Sequence, residues 1–193
     1  MGTGCDIWGS KRMELAITLR DLVLPKDLDW FIENGSLLGA FRSGKFIPHD
    51  DDFDIGAIIV DMDNIENIYR CIQDKLPLPY KARRISSYAD KIEVYDPSYG
   101  SYMLEGYDGA DFHYVTVDVQ FHLLGDSGIC KALYRRGNQY EFKLEDSLPT
   151  SEISLEGESF PCPKNPEKLL LTRYGSIREG AVYNPDLKKY VDM

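Results

Sequence analysis

Four aspartates, Asp50, Asp51, Asp52 and Asp54, crowd into five positions of the stretch ENGSLLGAFRSGKFIPHDDDFDIG, residues 33–56. Like charges this close repel, so the cluster is either a solvated turn or a holder of a cation. Asp52 and Asp54 lie two apart at the head of an apolar run, and on a strand that spacing sends both carboxylates to one face. Asp118 stands on the polar side of a second alternating run, FHYVTVDVQFHLL (112–124). If those two strands are neighbours, three carboxylates converge. Such a hard-oxygen set, small and with open positions, suits Mg2+ or Mn2+ shared with substrate phosphates.

Gly35-Ser36 reads as a turn opening a short helix, whose first N–H groups and dipole would cradle a phosphate. Arg42, further along that helix, would reach a phosphate or pair with an aspartate. Each piece alone also has an ordinary reading. An aspartate cluster is commonly solvated, a lone strand aspartate is commonly hydrogen-bonded, and many helices begin with Gly-Ser. A calcium loop fits Asp50, Asp52 and Asp54 at its first, third and fifth positions, then fails at Ile55, where glycine is needed, and at Asp61, where glutamate is. His49, His113 and His122 share no metal-ligand spacing and are expected to be structural.

The elements that must position these residues mix helix and strand. Ser10 is expected to cap a helix running to about Leu24, with Leu15, Leu19, Leu22 and Val23 on one side and Pro25 as the stop. LDWFIE (28–33) is strand or helix end, and 52–60 is a strand with Phe53 and Ile55 facing away from Asp52 and Asp54. Ile65, Ile68 and Ile72 mark a helix over 64–75. Strands are expected around 84–86 and 91–95, and loop with short strands over 98–114. In the 112–124 strand, Val115, Val117, Val119 and Phe121 form one face and Tyr114, Thr116, Asp118, Gln120 and His122 the other. A hairpin about Glu156-Gly157 and a helix from Asn165-Pro166 to Gly175 follow. The fold class is α+β.

The chain has 193 residues, 43% hydrophobic and 28% charged, enough for a core and suited to one domain. Its net charge of −10, from 32 acidic and 22 basic residues, argues against nucleic acid as a partner. An acidic protein that handles phosphates needs a divalent metal or a few well-placed cations. Cys5, Cys71, Cys130 and Cys162 are scattered and read as reduced structural thiols. No apolar run is long enough for a membrane span, the start lacks a signal-peptide layout, and Asp6 spoils a myristoylation signal, so the expected location is cytoplasmic. The sequon Asn34-Gly35-Ser36 sits inside the densest motif, where a glycan would obstruct, and is read as coincidence.

Residues 34–56, NGSLLGAFRSGKFIPHDDDFDIG, resemble the signature of the LicD/fukutin group, roughly G-[ST]-LLGA-x-R-x-G-x-x-IPWDDD-x-DI. YVTVDVQFHLL and FPCPKNPEKLLLTRYG match more loosely. That group is similar to nucleotidyltransferases of the DNA-polymerase-β superfamily. The resemblance implies a nucleotidyltransferase core over residues 1–193, with a mixed sheet flanked by helices. It also implies transfer of a phosphate-linked group, such as phosphocholine or ribitol phosphate, from a CDP-linked donor to a glycan hydroxyl. On its pattern Asp52 and Asp54 are the metal ligands and Asp118 the third carboxylate. Gly35 and Ser36 meet donor phosphates, and Asp50 ligates or orients through water. His49 replaces the tryptophan usual in bacterial members, which leaves the ligands intact and alters a local donor or acceptor contact. The chain is also short for the group, with little room for a large acceptor-binding domain.

In the mechanism this implies, the acceptor hydroxyl attacks phosphorus in line with departing CMP, and Asp118, on its separate strand, is expected to help deprotonate it. The same three carboxylates would serve a true nucleotidyltransferase moving NMP from an NTP. An idle nucleotide-binding or scaffold module of the same fold is the third reading, and retention of all three carboxylates weighs against it.

Overall fold

A computed structural model describes residues 5–87, 89–103, 111–134, 139–184 and 186–192. Its first helix, α1, spans Cys5–Thr18 and continues as a π-helical turn over Leu19–Val23. β1 (Trp30–Ile32) leads into α2 (Asn34–Ser43), then β2 (Asp54–Ile59) and α3 (Asp63–Lys75). β3 (Lys81–Ile85) and β4 (Lys91–Tyr95) precede a small hairpin of β5 (Ser101–Met103) and β6 (Asp111–His113). The long strand β7 (Thr116–Leu124) is followed by β8 (Ile129–Ala132), β9 (Glu141–Lys143) and the short α4 (Leu144–Ser147). The hairpin β10 (Ser151–Leu155) and β11 (Glu158–Cys162), the helix α5 (Pro166–Tyr174) and a last pair, β12 (Val182–Asn184) and β13 (Lys189–Val191), complete the chain.

Seven strands form one mixed sheet in the order β1-β2-β7-β4-β3, with β8 paired to the far half of β7 and β9 paired to β8. β7 runs parallel to β2 and antiparallel to β4 and β8. The centre of this sheet is buried on both faces, for different reasons. Ile55, Ala57 and Ile59 of β2 and Val117, Val119 and Phe121 of β7 enter the main core, joined by Leu15 and Leu19 from the first helix and by Ile65, Ile68 and Ile72 of α3. Each of these Val, Leu, Ile and Phe side chains, once buried, contributes about 1.5–3 kcal/mol. The alternate residues Asp54, Asp118, Gln120 and His122 go to the other face, also buried, beside a smaller cluster holding Phe31, Ile58 and Phe142.

Several boundaries differ from the sequence reading. Ser10 lies inside α1 and does not cap it. The helix widens at its end, where the Leu24 N–H donates to the Leu19 carbonyl five residues back, and the extra residue per turn swings Leu22 outward to 66% exposure. The 112–124 segment is not one strand. Asp111–His113 pairs with Ser101–Met103, the chain bends at Tyr114, and the central strand begins at Thr116. Within the expected 98–114 loop, residues 104–110 lie outside the described residues. Cys71, Cys130 and Cys162 are free thiols; the Cys5 thiol and Met1–Gly4 lie outside the described part. No helix among the described residues is long and apolar enough to cross a membrane.

Candidate metal centre and active site

The parallel register of β2 on β7 places Asp54 directly opposite Asp118. Asp52, two residues before Asp54, joins them, and one carboxylate oxygen from each of the three lies within 4.8 Å of the others. Asp50, Asp51 and Asp52 make an overlapping group of the same kind. These carboxylates line one side of a cleft of about 370 Å3 that Gly35, Tyr102, Tyr134, Arg173 and Tyr174 also border.

Each carboxylate is held differently. Asp54 Oδ1 accepts a hydrogen bond from Gln120 Nε2 at 2.7 Å. Asp118 Oδ2 pairs with the ammonium of Lys91, both groups deeply buried at 2% and 4% exposure, while Asp118 Oδ1 has no hydrogen-bond partner. Tyr102 donates its hydroxyl to Asp51 Oδ2 at 2.8 Å. Asp50 lies against Gly35, where a Cβ would come within 2.2 Å of Asp50 Oδ2, so any larger residue would push that carboxylate aside. That oxygen also lacks a partner. The Asp50 carbonyl, in contrast, accepts from Arg12 Nη1 at 3.0 Å, and Arg12 Nε donates to the Tyr114 carbonyl at 3.1 Å, so one buried arginine ties α1 to the acidic loop and the approach to β7.

Burial and mutual repulsion hold the cluster's protons. Burial, with Asp52 and Asp51 nearby, pushes Asp50 up to about 8, against the pull of Arg12. Burial pushes Asp118 to about 6 despite Lys91 beside it. Asp52 and Asp54 stand well above the usual carboxylate range, again from burial first and neighbouring carboxylates second. Burial alone would depress the Lys91 ammonium, but Asp118 more than restores it. Repelling oxygens, two of them buried without a partner, are what a divalent cation would satisfy, and an all-oxygen set fits Mg2+ or Mn2+ rather than a soft metal.

The other sequence candidates fall elsewhere. Ser36 is fully buried, and its hydroxyl accepts the Asp54 N–H at 3.0 Å, locking the start of α2 to β2. Arg42 borders an adjoining pocket that shares Gly35, Asp50 and Tyr174 with the acidic cleft, and its Nε and Nη2 donate to the carbonyls of Ile177 and Arg178 at 2.7 and 2.9 Å. Asp118, expected to take the acceptor proton, has one oxygen paired with Lys91 and the other buried without a hydrogen-bond partner. His122 is buried and donates from Nε2 to Glu33 Oε2 at 2.6 Å, a structural role. Sequence reasoning missed Lys91, Gln120 as the partner of Asp54, and Arg173. Gln120 was findable, since it follows Asp118 by two on the same face. Lys91 and Arg173 carried no local signal.

The profile of the LicD/FKTN/FKRP nucleotidyltransferase domain matches residues 27–165. The chain belongs to that family. The matched span runs from just before β1 to the N-terminal boundary of α5 and takes in all of the acidic cluster. The family's nucleotidyltransferase core, a mixed sheet flanked by helices, is the fold observed. No curated protein matches the sequence significantly. Among solved structures, the lincosamide antibiotic adenylyltransferase LnuA, crystallised with lincomycin, is similar at a TM-score of 0.48 and 18% identity, over 86% of this chain and 85% of that one.

Proposed function

We propose that this LicD-family protein is a metal-dependent phosphotransferase that moves a phosphate-linked group from a CDP-linked donor to a glycan hydroxyl. The observation that carries the reading is the convergence of Asp52, just ahead of β2, with Asp54 and Asp118 on adjoining strands, at a cleft large enough for a diphosphate. These three would hold Mg2+ or Mn2+, with Asp50 beside them. When bound, such an ion supplies charge neutralisation for a diphosphate and its departing CMP.

The protein's own residues do the rest by position. Gly35 lets the first turn of α2 border the cleft, where the helix dipole favours phosphate. Ser36 and Arg12 fix that helix start and the acidic loop relative to β2 and β7. Lys91 keeps one oxygen of Asp118 in place, so the trio is organised before substrate arrives. The acceptor hydroxyl then attacks the phosphorus of the transferred group, the bond to CMP oxygen breaks, and the hydroxyl proton passes to the carboxylate wall.

Incubation with CDP-choline or CDP-ribitol, a glycan acceptor and Mg2+ tests this. CMP release that EDTA abolishes supports the reading. Pyrophosphate release from CTP or another triphosphate, with no CMP from either donor, would replace it with nucleotidyl transfer. Neither product under any metal condition leaves the scaffold reading.

A further inference from the structure

Arg173 sits on α5, beyond the stretch matched by the family profile, yet borders the same cleft as the aspartates. Its guanidinium carbon lies 4.8 Å from the ring centre of Tyr134, 5.2 Å from that of Tyr140 and 5.8 Å from that of Tyr174. Its Nε donates to Asn34 Oδ1 at 3.2 Å, and Asn34 Nδ2 donates onward to the Tyr134 hydroxyl at 2.8 Å. Asn34 is the first residue of α2, next to Gly35. The arginine is thus clamped by aromatic faces and by an amide at the start of the helix that borders the cleft.

Burial works against a charge there, but the surrounding tyrosines and Glu33 hold the guanidinium in its charged form. That places a fixed cation at the edge of a cleft bordered by Asp50, Asp51, Asp52, Asp54 and Asp118. Among the described residues Lys91 also borders the cleft, and it pairs with Asp118. The planar fork of a guanidinium matches phosphate oxygens, and a cation–π clamp reduces the freedom lost on binding.

We infer that Arg173 is a substrate-binding residue: it receives a phosphate of a nucleoside-diphosphate-linked substrate and positions it against the aspartate wall. The inference rests on the phosphotransferase reading for the identity of the substrate, but not for the presence of a phosphate subsite.

The test compares wild type with Arg173→Met and Arg173→Lys, using inorganic pyrophosphate and CDP as probes and Mn2+ as the ion. Mn2+ uptake, read by electron paramagnetic resonance without nucleotide, should be unchanged within about twofold in both variants. Affinity for pyrophosphate and CDP, with Mn2+ present, should fall at least about tenfold in Arg173→Met and recover in part in Arg173→Lys. Should the variants melt early, the unmodified protein supplies the answer: its Arg173 Nε–Hε resonance should shift on titration with pyrophosphate. Full probe affinity in a folded Arg173→Met, or an unmoved Arg173 resonance at saturation, overturns the proposal. So does a wild type that binds neither probe. Pyrophosphate binding that depends on Arg173, without CDP binding, keeps Arg173 as the phosphate residue and removes the cytidine donor.

Discussion

Lys91 and Asp118 form a buried ion pair across β4 and β7, two strands that meet edge to edge with Asp118 opposite Glu93 and Lys91 opposite Gln120. The pair spans a diagonal of the sheet and leaves Asp118 Oδ1 without a hydrogen-bond partner, in a group with Asp52 and Asp54. Lys91 thus offsets part of the cluster's charge from within the fold.

Removing that offset should expose a dependence on metal. Lys91→Met leaves Asp118 buried beside two other carboxylates without a counter-charge, which costs about 3–5 kcal/mol where no other cation is present. Added Mg2+ should recover a substantial part of the lost melting temperature, more than it adds to wild type. Melts in EDTA and in excess Mg2+ measure both. An equal loss in the two conditions would make Lys91 a structural group with no link to a cation site.

The raised carboxylates also set a pH dependence. Asp50 at about 8 and Asp118 at about 6 bind protons in the folded state that the unfolded chain has released, and Asp52 and Asp54 shift the same way. The folded state then holds more protons than the unfolded one, so stability falls as pH rises. This contribution is complete below about pH 4, the unfolded range, and is lost towards pH 8. In EDTA the protein should melt at a lower temperature at pH 8 than at pH 6, and saturating Mg2+ should flatten the slope. Asp50→Asn, measured beside wild type, isolates the part due to that residue. A slope in EDTA that is flat or of opposite sign contradicts the uncompensated cluster.

Much of this was legible from local pattern. The two-residue period puts Asp118 with Gln120 on one face, and burial of the alternate residues holds that strand in its rotation; the strand expected over 52–60 begins only at Asp54, so Asp52 joins the group from the bend before it. What no local pattern carries is register. The pairing of Asp54 with Asp118, 64 residues apart in the chain, depends on β7 inserting between β2 and β4. Lys91 and Arg173 were illegible for the same reason, since each meets the site from a distant element. Ser36 and Arg42 show the converse. Their motif positions suggest ligand contact, and no local pattern shows the backbone N–H that the Ser36 hydroxyl accepts or the two carbonyls that Arg42 donates to. At Leu22 the helical period itself failed, because the helix changed its turn.

Gly35→Ala tests whether contact between α2 and the acidic loop matters to the site. The added Cβ meets the Asp50 carboxylate, so that side chain has to move away from the helix. The expected stability cost is about 1–3 kcal/mol, as for other overpacked positions. Mn2+ affinity should fall at the same time, because the displaced carboxylate belongs to the acidic group. Unchanged Mn2+ binding by calorimetry would show that Asp50 and the helix start stand apart from the cation site.

The sharpest contrast separates chemistry from folding. Asp52→Asn and Asp54→Asn keep size and an oxygen acceptor, so the bond from Gln120 to position 54 survives, but each removes a charge from a repelling group. In EDTA these variants should melt no lower than wild type, and higher near pH 8, where the repulsion is greatest. CMP release from a CDP-linked donor should nonetheless fall by about two to three orders of magnitude, in line with losing one preorganised electrostatic contact to the reacting groups. Val117→Asp, fully buried in the main core beside Asp118, should do the reverse, because it places an unpaired charge among apolar side chains. Its cost should exceed about 4 kcal/mol, with loss of activity only through loss of folded protein. If the aspartates merely brace the fold, the pattern inverts: the asparagine variants would melt early, and what remained folded would release CMP at the wild-type rate. That pairing of results, read from melts and a CMP assay on the same samples, would remove the aspartates from the chemistry.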